Sequence, residues 1–165
     1  MHKSSIMKIA AMQSHIVAVH PPHIGGMYWI FVSLQTGCGI EGVGEVYAST
    51  FHPEVMVKVL DDVFDRYLKG HDPHHIERFF RECYSSGFTQ RPDLTMMGAL
   101  SGLEMACWDI IGKAAGKPVY ELIGGKVHDK LRCYTYLYPT NSKGEHDYDC
   151  PDLAVECALK NMEQG

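Results

Sequence analysis

The stretch TMMGALSGLEMACWDIIGKAAG, Thr95 to Gly116, is apolar almost all round and carries Gly98, Ala99, Ser101, Gly102 and Ala106 along it. A helix with apolar residues at every angle has no face for water. It must be surrounded by protein, and its small residues let neighbouring backbones come close. Any fold for this chain has to be built around that helix. Two carboxylates, Glu104 and Asp109, lie within it. Five residues apart, they point roughly 140° away from each other around an axis of 3.6 residues per turn, so they cannot converge on one metal ion or substrate atom. Each is expected to hydrogen-bond a neighbouring backbone group or a basic side chain instead.

The preceding residues alternate. Met7 to Val19, Met27 to Gln35 and Glu41 to Ala48 read as strands, and the short loops between them predict an antiparallel meander. The segment TGCGIEGVGEV, Thr36 to Val46, sets Gly37, Gly39 and Gly42 at the G-x-G-x-x-G spacing of a dinucleotide-binding loop. That fingerprint works only where a helix leaves it, because the helix N-terminus holds the pyrophosphate. Here Val43, Gly44, Glu45, Val46 and Tyr47 continue the alternation, and no βαβ arrangement precedes them. A β-hairpin whose turn needs positive φ at its glycines is expected, and NAD is not.

Helical segments follow. HPEVMVKVLDDVFDRYLKG places Pro53 at a first helical position and Gly70 as a stop, with adjacent apolar stripes at 55, 59, 63, 67 and 56, 60, 64, 68. DPHHIERFFRECYSSG offers Asp72 as N-cap with Pro73 behind it, buries Ile76, Phe79, Phe80 and Cys83, and ends near Gly87. After the apolar helix, KPVYELIGG supplies a short turn of helix and a glycine stop. LRCYTYLYP, Leu131 to Pro139, then reads as a fresh strand, and Pro151 to Gln164 as a helix after a polar loop. The expected class is α+β: a three-stranded meander and a helical bundle over residues 1–128, then one βα unit over 129–165. A single βα unit leaves a sheet edge uncovered, so the sequence reads as cut off.

Composition excludes several partners. The net charge of −5 and pI near 6.0, with no Lys/Arg block, argue against nucleic acid or an anionic membrane surface. No apolar run approaches the ~20 residues of a membrane span. The start, MHKSSIMKIAAMQSHIVAV, is broken by Lys8, Gln13 and His15 and makes a poor secretory segment. Six cysteines without a C-x-x-C pair fit free thiols in a reducing cytoplasm. His20-Pro-Pro-His23 and His71-Asp-Pro-His74-His75 lack the cysteine pairs or one-sided helical spacing of a structural zinc site, and their prolines fit loop entries.

The order of strands, helices and βα unit, with SGLEMACWDIIGKAAGKPVYELIGG (Ser101 to Gly125), resembles the enolase superfamily, most closely its mandelate racemase and muconate lactonizing enzyme branch. Ser101, Glu104, Ala106, Trp108, Asp109, Gly112, Lys113, Pro118, Leu122 and Gly124-Gly125 stand where that branch's N-terminal signature has such residues, and GIEGVGEVY matches its third strand. Tyr28-Trp29-Ile30-Phe31, Arg91-Pro92-Asp93 and LRCYTYLYP look most like acid-sugar dehydratases. The resemblance implies an N-terminal capping domain, with chemistry at the C-terminal face of a following (β/α) barrel. There a proton α to a carboxylate is removed, Mg²⁺ stabilises the enediolate, and a β-hydroxyl is expelled. The metal ligands and the acid and base lie on later barrel strands. This segment is therefore expected to bind no Mg²⁺ and to supply no catalytic residue, and by itself to be inactive.

What the resemblance leaves to the segment is a lid. The loop HPPHIGGMYW, freed by Gly25-Gly26, and the loop VYASTFH would close over the substrate. His23, Tyr28, Trp29, Tyr47 and Thr50 are the candidates for lining it, and Tyr136 and Tyr138 would share one side of the first barrel strand. Aromatic faces with hydroxyl and imidazole groups suit a sugar-acid carboxylate. A racemase or cycloisomerase of the same branch is the nearest alternative. A non-catalytic binding module is the rival from another class. Members of this branch commonly assemble, so a homo-oligomer is expected.

Overall fold

The computed structural model describes residues 7–21, 23, 25–47, 51–85 and 93–163. Three strands pair antiparallel in the order β1 (Ile9–Ala18), β2 (Tyr28–Thr36), β3 (Glu41–Val46). Alternation along β2 sets the two faces of the sheet. Ile30, Val32 and Leu34 are fully buried on one side, and Trp29, Phe31 and Ser33 take the other. Thr36 closes the β2–β3 turn: its hydroxyl donates to the carbonyl of Ile40 and accepts the Ile40 N–H, both at 3.0 Å. Ala48, the expected last residue of the third strand, lies outside the described residues.

The glycine-rich segment is a hairpin, but its glycines serve two purposes. Gly39, at φ +86°, is the residue that the turn requires in the left-handed region. Gly42 and Gly44 lie within β3 and have no such φ. A Cβ on Gly42 would run into the backbone oxygen of Ala106, and one on Gly44 into that of Gly102. They are glycines because a helix lies on them. Of the turn glycines expected at positive φ, Gly39 has it and Gly37 does not.

That helix is α3 (Leu94–Ala115), capped by Asp93, whose carboxylate accepts the Met96 N–H at 2.8 Å, and ended by Gly116 at φ +64°. Its inner face buries Leu100, Leu103, Ala106, Cys107 and Ile110 against the sheet and the helix that begins at Pro53. Two expectations change here. By length and composition α3 would pass for a membrane span, at 22 residues and mean hydropathy 1.2. Its glycine contacts with β3 make it the core helix of this unit instead. Nor is it surrounded on all sides, since Ser101 and Met105 are exposed.

α1 (Pro53–Val63) starts with Pro53 in its first turn, as the sequence predicts, behind an N-cap at His52, and runs on into a π-helical turn, Phe64–Leu68. Both apolar stripes face the core, with Val59 and Tyr67 partly buried against it. Met56, Leu60, Phe64 and Leu68 are buried together with Val63, whereas Val55 is exposed. α2 (Ile76–Ser85) begins later than its expected cap. Asp72 instead closes the turn before it, accepting the His74 N–H at 2.9 Å and bonding the His74 ring at 2.8 Å. Gly87, its expected stop, lies outside the described residues. α4 (Val119–Leu122) is the short turn after Pro118.

Partial burial pushes the Asp72 carboxyl up, but the His74 N–H and ring outweigh it and leave the pKa below the usual carboxylate value. A depressed folded pKa contributes stability above the unfolded pKa, about 4, that is lost as pH falls through the folded value. Asp72→Asn is therefore expected to cost ~1 kcal/mol near neutrality, a difference that disappears as the pH falls below the folded pKa of Asp72. Denaturant melts of both proteins at several pH values check this.

The chain divides into two compact units, 1–18 with 28–126 and 19–27 with 127–165. The second contains α5 (Pro151–Glu163) and the loop before it. In that loop, Asn141 accepts the N–H groups of Lys143 and Glu145, and Thr140 bridges His146. The strand expected at Leu131 to Pro139 carries no ladder. A strand exists only by pairing, and among the described residues none pairs with it. Its period-two alternation survives: the rings of Tyr134, Tyr136 and Tyr138 follow one another edge to face at 6.2 and 6.5 Å.

Candidate functional site

The proposed lining residues are divided between the two compact units. In the first unit, Tyr28 and Trp29 are neighbours on β2 and so point to opposite faces. The Tyr28 hydroxyl donates to the carbonyl of Phe51 at 2.9 Å, tying the start of β2 to the segment that leads into α1. Trp29 stands on the outer face opposite Val17 and is 38% exposed. Tyr47 is 61% exposed just beyond β3, and its backbone oxygen is what a Cβ on Gly98 would strike. Thr50 lies outside the described residues.

In the second unit, the loop 19–27 is held by its own hydrogen bonds. The His23 N–H donates to His20 O at 2.9 Å, and the Gly26 N–H donates to His23 O at 3.0 Å. His23 has φ +58°, where a residue with a Cβ is uncommon. Its Nδ1 lies 2.7 Å from the carbonyl of Val19. A carbonyl can only accept, so Nδ1 carries the proton, and a neutral His23 ring keeps Nε2 as an acceptor. Gly25 and Gly26 both adopt positive φ next to it.

Tyr136 and Tyr138 border a cavity of about 500 Å³ whose other wall is α5, including Glu156, Lys160 and Asn161. Helices form the outer ring of a (β/α) barrel, so the α5 side of this segment is the side away from a barrel's interior. Tyr138 is followed by Pro139 and the loop that leads to α5.

A second opening of about 630 Å³ in the first unit was not foreseen. Trp108 and Ile111, three apart on α3, line it with His74, His75 and Arg78 at the start of α2. The Trp108 indole N–H donates to Glu104 at 3.4 Å, which leaves that carboxylate with an aromatic partner rather than the expected backbone or basic one. Asp109 has both expected partners, the Val43 N–H at 2.9 Å and Lys113 Nζ at 2.8 Å. Among the described residues no three His, Cys, Asp or Glu side chains are grouped to hold a metal ion, and no disulfide forms. Burial pushes the Cys83 and Cys107 thiols up to about 12, which suits packing rather than ligation. Cys38 is exposed, and the Thr36 hydroxyl lowers its pKa.

A three-stranded meander with one long small-residue helix seated on its last strand, followed in sequence by an alternating segment unpaired among the described residues and by α5, defines an α+β capping domain. The family model for the mandelate racemase / muconate lactonizing enzyme N-terminal domain matches residues 9–124. The chain belongs to that family, within the enolase superfamily, and carries its N-terminal domain.

It is 39% identical over 111 residues to D-galactonate dehydratase of Ralstonia pickettii strain 12J, covering 66% of this chain and 28% of that one. Its structure matches a Burkholderia SAR-1 protein assigned to the mandelate racemase/muconate lactonizing enzyme group, with TM-score 0.89 and 69% identity, over 95% of this chain and 39% of the other. A further match is an enolase from Agrobacterium radiobacter, described as a prospective galactarate dehydratase with sodium and L-malate bound. Its TM-score is 0.66 and its identity 28%, over 81% of this chain and 32% of that chain. The chain thus spans under a third of the curated relative's length.

Proposed function

We propose that this chain is the N-terminal part of a Mg²⁺-dependent acid-sugar dehydratase of the cytoplasm. Residues 1–128 form its cap and 129–165 open its barrel. The reading rests on the 39% identity to a D-galactonate dehydratase. The reaction removes the proton α to the carboxylate of a sugar acid and expels the β-hydroxyl as water, and the resulting enol becomes a 2-oxo acid. The metal ligands, the acid and the base are those that the family resemblance assigns to later barrel strands, and among the described residues no three His, Cys, Asp or Glu side chains are grouped to hold Mg²⁺.

The segment's own contribution is cover. Trp29, Tyr47 and Thr50 from the first unit and His23 and Tyr138 from the second are the residues assigned to it. Tyr136 stands edge to face with Tyr138, and Tyr28 acts by fastening Phe51 rather than by touching substrate. The substrate is a polyhydroxylated carboxylate, and the protein associates with itself.

The test is the full-length protein with Mg²⁺ and a panel of aldonates and aldarates, read as the absorbance of the semicarbazone of a 2-oxo acid product. A 2-oxo acid from one or a few sugar acids is expected. Racemised substrate without dehydration would shift the assignment to a racemase. Trp29→Ala is expected to raise KM about tenfold, roughly 1.4 kcal/mol of lost binding, with a smaller change in kcat. An unchanged KM removes Trp29 from the lid.

A further inference from the structure

We infer that β1 is the edge through which two copies of this chain join, antiparallel, about a two-fold axis passing at Ser14. This names the surface for the self-association proposed above and does not depend on the reaction.

The hydrogen-bonding parity of the sheet shows which backbone groups of β1 face outward. The Thr36 N–H bonds Ile40 O, so the even residues of β2 point toward β3 and its odd residues toward β1. Residues 35, 33, 31 and 29 of β2 stand opposite Ala11, Gln13, His15 and Val17. Met12, Ser14, Ile16 and Ala18 therefore turn their N–H and C=O groups away from the sheet. The β3 side confirms the alternation, because the outward Val43 N–H is taken by Asp109 and the Glu41 carbonyl by Lys113.

The two edges are treated differently. α3 lies along β3, and its Asp109 and Lys113 take up the outward Val43 N–H and Glu41 carbonyl. On β1 only Ile9 is closed, bonding His71 O at 2.9 Å and the Gly70 N–H at 2.8 Å. Among the described residues nothing bonds the outward backbone groups of Met12, Ser14, Ile16 or Ala18. The strand IAAMQSHIVA carries no Lys, Arg, Asp, Glu or Pro, and its one register shift lies at its start, between Ile9 and Ala11, away from Met12 to Ala18.

The occupant follows from the order of residues. About Ser14 the strand mirrors itself in character: Gln13 and His15 are polar, Met12 and Ile16 apolar, Ala11 and Val17 apolar, Ala10 and Ala18 small. An antiparallel copy in this register sets like against like at every position with no charge opposed, as an isologous two-fold contact requires. Met12 of one copy meets Ile16 of the other on the core side, extending an apolar surface from which Ile16 is 39% exposed. On the axis, Ser14 faces Ser14. Its hydroxyl oxygen is buried and makes no hydrogen bond among the described residues. Paired residues of this kind stand about 5.5 Å apart at Cα, within reach for the two hydroxyls to bond each other. Self-pairing thus gives that oxygen a partner and joins two three-stranded sheets into one.

The full-length protein tests this. Sedimentation of the native protein is expected to show association. Amide exchange at Met12, Ser14, Ile16 and Ala18 should slow as concentration rises. Ser14→Cys should yield a disulfide-linked dimer under mild oxidation, because the expected Cα separation falls within disulfide range, and the unsubstituted protein should not. Ile16→Lys should raise the dissociation constant at least tenfold with its circular dichroism unchanged. A monomer at all concentrations overturns the proposal. So does unchanged association of Ile16→Lys together with no cross-link in Ser14→Cys. Exchange at these four amides that is slow and independent of concentration also overturns it, since a strand of the same chain would then fill the edge.

Discussion

Gly44→Ala is expected to destabilise the protein by on the order of 4 kcal/mol, a thermal shift of roughly 10–15 °C for a domain of this size. The added methyl would fall on the backbone oxygen of Gly102, with the Gly102 carbonyl carbon at 2.9 Å and the Ala106 nitrogen at 3.1 Å. All three are main-chain atoms of α3, so no side chain can turn aside. The helix must lift from the sheet. Lifting it opens the packing of Leu103, Ala106 and Ile110 against Val32 and Leu34, all of them at most 1% exposed. Gly39→Ala is the comparison that isolates the cause. Its Cβ would meet nothing within 4 Å, so its only cost is the left-handed backbone, about 1 kcal/mol. Thermal melts of the two variants decide the matter. A Gly44→Ala protein no less stable than Gly39→Ala would mean that α3 does not sit on β3 as described.

That contrast also marks what a sequence can and cannot announce. The turn glycine is a local matter, and Gly39 is legible from the hairpin pattern alone. Gly42 and Gly44 answer to a helix some sixty residues later in the chain. The small residues of that helix, Gly98, Gly102 and Ala106, foretell a close approach without saying to which backbone. The same divide runs through the candidate site. Alternation along β2 is legible and already separates Tyr28 from Trp29. That the Tyr28 hydroxyl is taken up by Phe51, 23 residues away, is not. His23 is legible as a loop histidine, but the bond to Val19 O that fixes its tautomer depends on a turn the sequence leaves open. The Leu131–Pro139 segment keeps its period of two and lacks a ladder, because side-chain alternation is a property of one strand and pairing a property of two.

Asp109→Ala is expected to cost about 2 kcal/mol, the scale for removing hydrogen bonds to a charged group while leaving their partners behind. The carboxylate sits at the crossing of α3 and β3, only 34% exposed at the side chain. Its Oδ2 accepts the outward Val43 N–H, a backbone donor that the sheet itself leaves unpaired, and it holds Lys113 Nζ, which reaches on to the Glu41 carbonyl at 2.8 Å. Two side chains one helical turn apart thus satisfy two backbone groups on the edge of β3. Lys113→Met removes only the second of these links and should cost about 1 kcal/mol. Because Asp109 orients the ammonium that reaches Glu41, the two changes should not add. The double variant is expected to fall short of the sum by roughly 0.5–1 kcal/mol, measured as a double-mutant cycle in denaturant. An additive pair would show that Lys113 reaches Glu41 without help from Asp109. The edge of β3 would then be closed by two separate bonds rather than by one network.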